Sequence, residues 1–182
     1  MAHELAHRWQ RVYRMVDGGA ATDGQARIVN DRTTLSKLRY FEDFPVGAAF
    51  EFGSVTVTEP DIIAFARQFD PQTMHTDPVA AAQGQTGGLI ASGWHTIAMM
   101  MRMYADHFLP EDGLPAPGVD EVRWVRPVRP GDTLRMRVTI QEARVSASKP
   151  DRGIIRPFSE VLNQHGEVVL TVRPINLVRR RP

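Results

Sequence analysis

The second half of the chain alternates apolar and polar side chains at the period of two that a strand with one buried face requires. The clearest case is residues 133–145, where Leu134, Met136, Val138 and Ile140 interleave with Arg135, Arg137, Thr139 and Gln141. Residues 119–125, 154–162 and 168–178 also read as strands, and residues 48–57 add an earlier one. Arg126-Pro-Val-Arg-Pro-Gly131 predicts a turn, and Asn163-Gln-His-Gly166 a hairpin with glycine at a late position. Taken in order, the last four runs predict a meander. Between residues 58 and 108 the pattern changes to that of helices. Thr58 followed by Asp61 reads as an acidic capping box, after which Ile62, Phe65, Ala66 and Phe69 share one face. Asp70 precedes Pro71, which pushes it out of the helical region and ends that helix. Asp77-Pro78 starts a short helix, with Asp77 as its N-cap and Gly84 just past its end. Residues 94–108 are apolar nearly all round, interrupted strongly only by Arg102 and Asp106, and predict a long helix buried on most sides. Its methionines read as core filler. Strand, helices, then four strands make an α+β layer, in which an antiparallel sheet must curl round the one long helix.

Residues 1–40 carry seven Lys or Arg against four Asp or Glu, whereas residues 41–182 carry fifteen against seventeen. The basic character therefore sits in a leader. Residues 3–16 place Leu5, Trp9, Val12 and Val16 at helical spacing, while residues 17–30 hold almost no core-forming side chains and read as a linker. The expected division is a flexible leader over residues 1–38 and one folded domain over residues 39–182. The formal charge of the whole chain is only +1, so no nucleic-acid partner is expected. The chain has no cysteine, which removes disulfides, thiol nucleophiles and iron–sulfur clusters and fits a cytoplasmic protein. No apolar run approaches the ~18–20 residues of a membrane helix, and no signal peptide is recognisable, so no membrane partner is expected. The six histidines are scattered without metal-ligand spacing, and no metal is expected. His95 and His107 read as packed or interface residues, with His95 available to line a pocket, and Arg179-Arg-Arg181 as a solvated tail.

The informative stretch is Phe65-Ala-Arg-Gln-Phe-Asp70-Pro-Gln-Thr-Met-His75-Thr-Asp77-Pro78. Asp70 falls at a helix C-terminus, where the helix dipole disfavours a carboxylate, and such breaches of local rules gather at working sites. His75 follows across a Pro-containing loop, close enough for both side chains to meet at one point. A carboxylate and an imidazole on one water form a general acid–base pair. Four of the fourteen glycines, Gly84, Gly87, Gly88 and Gly93, then fall within ten positions ahead of the long helix. A glycine at the mouth of a buried helix leaves N–H groups open to a developing oxyanion. Turning requirements alone would also account for the glycines, and turn amides for the Asp and His.

F-D-P-x-x-M-H-x-D-P-x-x-A followed by G-G-L-I-A-S-G-x-H resembles the MaoC-like dehydratases, the hydratase-2 group of (R)-specific enoyl-CoA hydratases. The likeness runs from about Phe41 to Val178. It implies a hot-dog fold, usually paired as a homodimer, and reversible hydration of a trans-2-enoyl thioester to the (R)-3-hydroxyacyl thioester. By this resemblance the catalytic pair falls on Asp70 and His75, and oxyanion and substrate binding on Gly93 and Ser92. Acyl-CoA is then a substrate, and no cofactor is needed because the thioester is the electron sink. The family's usual Gly-Asp-x-Asn-Pro is altered here to Phe69, Gln72 and Thr73 around Asp70, which bears on substrate range. Gln72 keeps an amide's hydrogen bonding at longer reach, and Phe69 adds bulk beside Asp70. The alternatives are a hot-dog thioesterase, although residues 94–99 offer no carboxylate for one, and a non-catalytic acyl-thioester-binding subunit.

Overall fold

The computed structural model describes residues 28–29, 40–110 and 112–182. In chain order these form β1 (Ile28–Val29), a 3-10 turn (Phe41–Asp43), β2 (Ala49–Thr56), α1 (Glu59–Phe69), α2 (Thr73–Thr76), α3 (Pro78–Gln83), α4 (Gly93–His107), β3 (Gly118–Trp124), β4 (Thr133–Val145), β5 (Arg152–Leu162) and β6 (Val168–Arg179). The strands make one sheet in the order β1-β2-β4-β5-β6-β3, antiparallel throughout except for the short β1–β2 pair. The predicted alternation in β4 is the observed one: Leu134, Met136, Val138 and Ile140 are buried. They join Phe50 and Phe52 of β2, Ile155 and Val161 of β5, and Leu170 and Val172 of β6 in one core. From α4 that core receives Met100, Met103 and Tyr104, with Phe108 just past the helix end. Phe108 is its aromatic hub, with ring centroids 5.1 Å from Phe44, 5.5 Å from Phe50 and 5.7 Å from Phe52. The sheet thus wraps the long helix in the expected α+β, hot-dog arrangement.

The predicted meander is wrong for one strand. β4, β5 and β6 follow one another, but β3 pairs with β6 at the far edge instead of with β4. The β5–β6 turn is a tight one, closed by Asn163 N–H to Glu167 O at 2.9 Å. The β3–β4 link is longer and carries Pro127 and Pro130, which withhold the N–H groups a hairpin ladder needs. It runs across the molecule instead. Val125 N–H donates to Val169 O at 2.9 Å, Val128 O accepts from Ala91 N–H at 2.8 Å, and Asp132 O accepts from Val57 N–H at 2.8 Å.

Three smaller expectations also change. The outer face of α4 is open, with Trp94 61% and Met101 46% exposed, so this helix is not covered on all sides. Arg179, Arg180 and Arg181 are not simply solvated. They pair with Asp112, Glu42 and Asp43 at 3.3, 3.3 and 2.6 Å, folding the C-terminal segment back over the 3-10 turn. At α1, Thr58 Oγ1 accepts from Asp61 N–H at 3.3 Å, but the return bond joins the Thr58 hydroxyl to the Asp61 carboxylate at 2.5 Å. The helix expected at residues 3–16 and most of the linker expected at 17–30 lie outside the described residues. The end of that linker, Ile28–Val29, pairs with Ala49 and Phe50. Among the described residues no helix is long and apolar enough to cross a membrane.

Candidate active site

α1 stops where Pro71 dictates, and Asp70 is its C-cap, with its N–H on Ala66 O at 2.9 Å. The chain then makes a single turn, α2, so His75 stands on a short helix and not in the loop the prolines suggested. His75 is 4% exposed. Its Nδ1 lies 2.8 Å from Ile90 O. A carbonyl oxygen can only accept, so Nδ1 carries the proton there and Nε2 is the working nitrogen. That Nε2 lies 3.5 Å from Asp70 Oδ2, and the predicted pair is brought together.

Asp70 is held from two further directions. The Ser92 hydroxyl donates to Oδ2 at 2.6 Å, and the Gln72 amide donates to Oδ1 at 2.8 Å. Gln72 thus keeps the amide bond expected of it. The Ser92 hydroxyl, then the Gln72 amide and the nearby imidazole, hold the Asp70 carboxyl below the usual aspartate range against a smaller opposing effect of burial. At neutral pH it is a carboxylate, and hydrogen bonds compensate its unfavourable place at a helix C-terminus. Phe69 does not crowd it. Its side chain is 63% exposed and packs on Phe65 with ring centroids 5.0 Å apart. Asp77 caps α3, Oδ1 accepting from Val79 N–H and Ala80 N–H at 3.0 Å each, as its Pro partner predicted.

Ser92 and Gly93 open α4. Ser92 is fully buried and is the N-cap, its Oγ accepting from Trp94 N–H at 3.2 Å while donating to Asp70. Ser92 thus caps α4 and orients the Asp70 carboxylate at once. Gly93 N–H belongs to the first helical turn, which has no intrahelical acceptor, and it has no partner among the described residues. A Cβ on Gly93 would stand 2.4, 2.6 and 2.9 Å from Nε1, Cε2 and Cδ1 of Trp124. Only glycine fits under that indole. Trp94 meets the same indole edge-on at 5.6 Å.

Sequence reasoning missed Trp124 and Ile90. Trp124 closes β3 beside the charged Glu121 and Arg123, and an aromatic there was the available signal. Ile90 contributes a backbone carbonyl, which no side-chain pattern announces. His95 is 8% exposed and lies flat on Phe65, centroids 4.7 Å apart, with Nδ1 unpartnered. Burial lowers its pKa. His107 packs near Phe52 at 5.9 Å, and neither histidine joins the pair. Among the described residues no group of three His, Cys, Asp or Glu is placed to hold a metal ion. The arrangement can hold a water on a carboxylate and an imidazole nitrogen, and Ser92, which binds that carboxylate, directly precedes the free Gly93 amide at a helix N-terminus.

Residues 43–154 match the family described as MaoC like domain. The crystal structure of a MaoC-like dehydratase from Rhodospirillum rubrum is 42% identical, with a TM-score of 0.74, covering 79% of this chain and 98% of that one. R-hydratase PhaJ1 from Pseudomonas aeruginosa is 26% identical with a TM-score of 0.64, covering 79% and 86% respectively. The uncharacterized protein YdeM of Bacillus subtilis is 30% identical over 124 residues, 68% of this chain and 86% of its own length. The family match takes in β2, the Asp70–His75 segment, α4, β3 and β4 together, and the chain belongs to the MaoC-like dehydratase family.

Proposed function

We propose that the protein is a hydro-lyase that reversibly adds water across a trans-2-enoyl thioester, carried on CoA or an acyl carrier protein, to give the (R)-3-hydroxyacyl thioester. The observation that carries this reading is the Asp70–His75 pair, 3.5 Å apart and with each partner held by other groups. The likeness to R-hydratase PhaJ1 supports the same reaction class. Water bound between the two side chains attacks C3 and gives up a proton to the pair. The π electrons move through C2 to the carbonyl oxygen, whose negative charge lies on Gly93 N–H and the α4 dipole. The pair then returns a proton to C2, and the carbonyl re-forms. Because the thioester takes up the electron pair, the reaction needs no metal or redox cofactor.

The test follows loss of the enoyl-thioester absorbance with crotonyl- and octenoyl-CoA. Asp70→Asn and His75→Gln each lower kcat by ~10²–10⁴, the usual contribution of a general acid–base group. Since both act on one water, the double variant costs far less than the product of the single losses. A folded Asp70→Asn variant with near-full activity overturns the mechanism. Rapid release of free CoA thiol in place of 3-hydroxyacyl-CoA assigns the protein to thioester hydrolysis instead.

The same reading includes a homodimer. β3 is an edge strand with one side unpaired among the described residues, and exposed Trp124 on it meets exposed Trp94 of α4 with ring centroids 5.6 Å apart. An exposed edge beside exposed apolar side chains is the kind of surface a second copy covers.

A further inference from the structure

Arg129, on the link between β3 and β4, differs from the arginines that pair with carboxylates. Arg102, Arg123, Arg126, Arg135, Arg137 and Arg152 each face a carboxylate. Arg129 is half-buried and has no carboxylate partner among the described residues. The neighbouring Asp132 is engaged elsewhere, Oδ2 accepting the Arg129 backbone N–H at 2.8 Å and Oδ1 the Gln164 amide at 3.0 Å. The guanidinium is nonetheless fixed. Its Nη2 donates to Thr86 O at 2.7 Å, which leaves the rest of its five N–H groups without a protein acceptor among the described residues. It lies on the glycine-rich loop 84–88, so close that a Cβ on Gly88 would stand 3.1 Å from Nη1. Beside it, the place a Cβ on Gly87 would take has nothing within 4 Å. A half-buried fork-shaped cation with spare donors, beside Gly87 and Gly88, which carry no side chains, suits a phosphate.

The loop also leads to the candidate active site. It continues through Ile90, which holds His75, and Ala91, whose N–H donates to Val128 O beside Arg129 at 2.8 Å. Gly93 is five positions on from Gly88, at most ~18 Å of extended chain. That is within reach of the pantetheine arm that joins a thioester sulfur to the phosphate of its carrier. We propose that Arg129 and the 84–88 loop bind a phosphate of the thioester carrier, the group that CoA and an acyl carrier protein share. The proposal rests on the thioester reading above.

The experiment measures calorimetric binding to the full chain of butyryl-CoA, butyryl-phosphopantetheine and butyryl-pantetheine, none of which has a double bond to hydrate. Arg129→Gln weakens the phosphate-bearing ligands about tenfold, the scale of lost hydrogen bonds to a charged group, and butyryl-pantetheine by less than twofold. Loss on both phosphate-bearing ligands supports the phosphate of the arm, whereas loss on butyryl-CoA alone points to a nucleotide phosphate and overturns the shared-group assignment. Equal weakening of all three makes Arg129 a clamp for the loop and overturns the proposal, as does no weakening at all. If the Gln variant does not fold, Arg129→Lys keeps the charge but loses the fork, and its smaller loss is again confined to the phosphate-bearing ligands. A wild-type protein that binds butyryl-CoA but hydrates no enoyl thioester sinks the hydratase reading alone.

Discussion

One hydroxyl, that of Ser92, serves both the stability of α4 and the charge of Asp70. It accepts from Trp94 N–H at 3.2 Å and donates to Asp70 Oδ2 at 2.6 Å. Ser92→Ala therefore has two separable effects. Loss of the cap lowers stability by ~1 kcal/mol, read by denaturant unfolding. Loss of the donor removes the largest influence that lowers the Asp70 pKa. A carboxylate with a depressed pKa stays ionised until the pH falls below the usual aspartate range, so the acid limb of kcat/KM lies low in the wild type. Without Ser92 that limb moves to higher pH. The stability Asp70 contributes is present above its unfolded pKa and lost as pH falls through the folded one. Gln72→Met shifts the limb in the same direction by less, and a profile unmoved in both variants means that Asp70 does not need its charge. The pair itself was legible in the sequence, because Asp70-Pro71 and His75 are fixed by a helix stop and a short turn. The bond from Ser92 to Asp70 was not legible, because it crosses twenty-two positions of sequence, a separation local patterns do not encode.

At the level of elements, β2 and α4 show where local reading stops. The alternation in residues 48–57 locates β2, but not the irregularity between Phe52 and Val55 in its pairing with β4. Gly53 sits there at φ +79°, and a Cβ on it would lie 2.6 Å from Met103 Sδ and 2.8 Å from Met103 Cγ. The bulge lets the strand bend round the helix that presses on it. Gly53→Ala meets a left-handed backbone that disfavours a side chain and a core without room for one, for a combined loss of ~2–4 kcal/mol. Urea unfolding checks this, and Met103→Ala in the same chain restores only the packing part. An unchanged midpoint for Gly53→Ala would mean that the helix can step back from the strand. Strand existence was readable throughout because one buried face imposes period two. Strand order was not: β3 has the same pattern whether its neighbour is β4 or β6, and only the proline-bearing link to β4 told against a hairpin.

For the whole molecule, α4 is more open than its sequence predicts, since residues 94–108 are apolar enough to be buried on most sides. The covered half faces the sheet, and Trp94 and Met101, seven positions or about two turns apart, stand on the other half. If a second copy covers that face through a two-fold axis, each exposed residue enters the contact twice, because the same patch is used by both subunits. A charge placed there is thus buried twice without a partner, at a cost of several kcal/mol. Wild-type protein at micromolar concentration is expected to sediment as twice its 20.4 kDa chain mass. Met101→Glu, whose position is 46% exposed and outside the single-chain core, should weaken association by more than ~10²-fold while the folded chain keeps its circular dichroism. Val119→Lys, on the free edge of β3, should act in the same direction by setting like charges across the symmetric strand pair. Sedimentation of the wild type as a single chain would leave the stripe of α4 exposed in solution and remove the dimer from the proposed function. Association unaffected by either substitution would place the contact on another face.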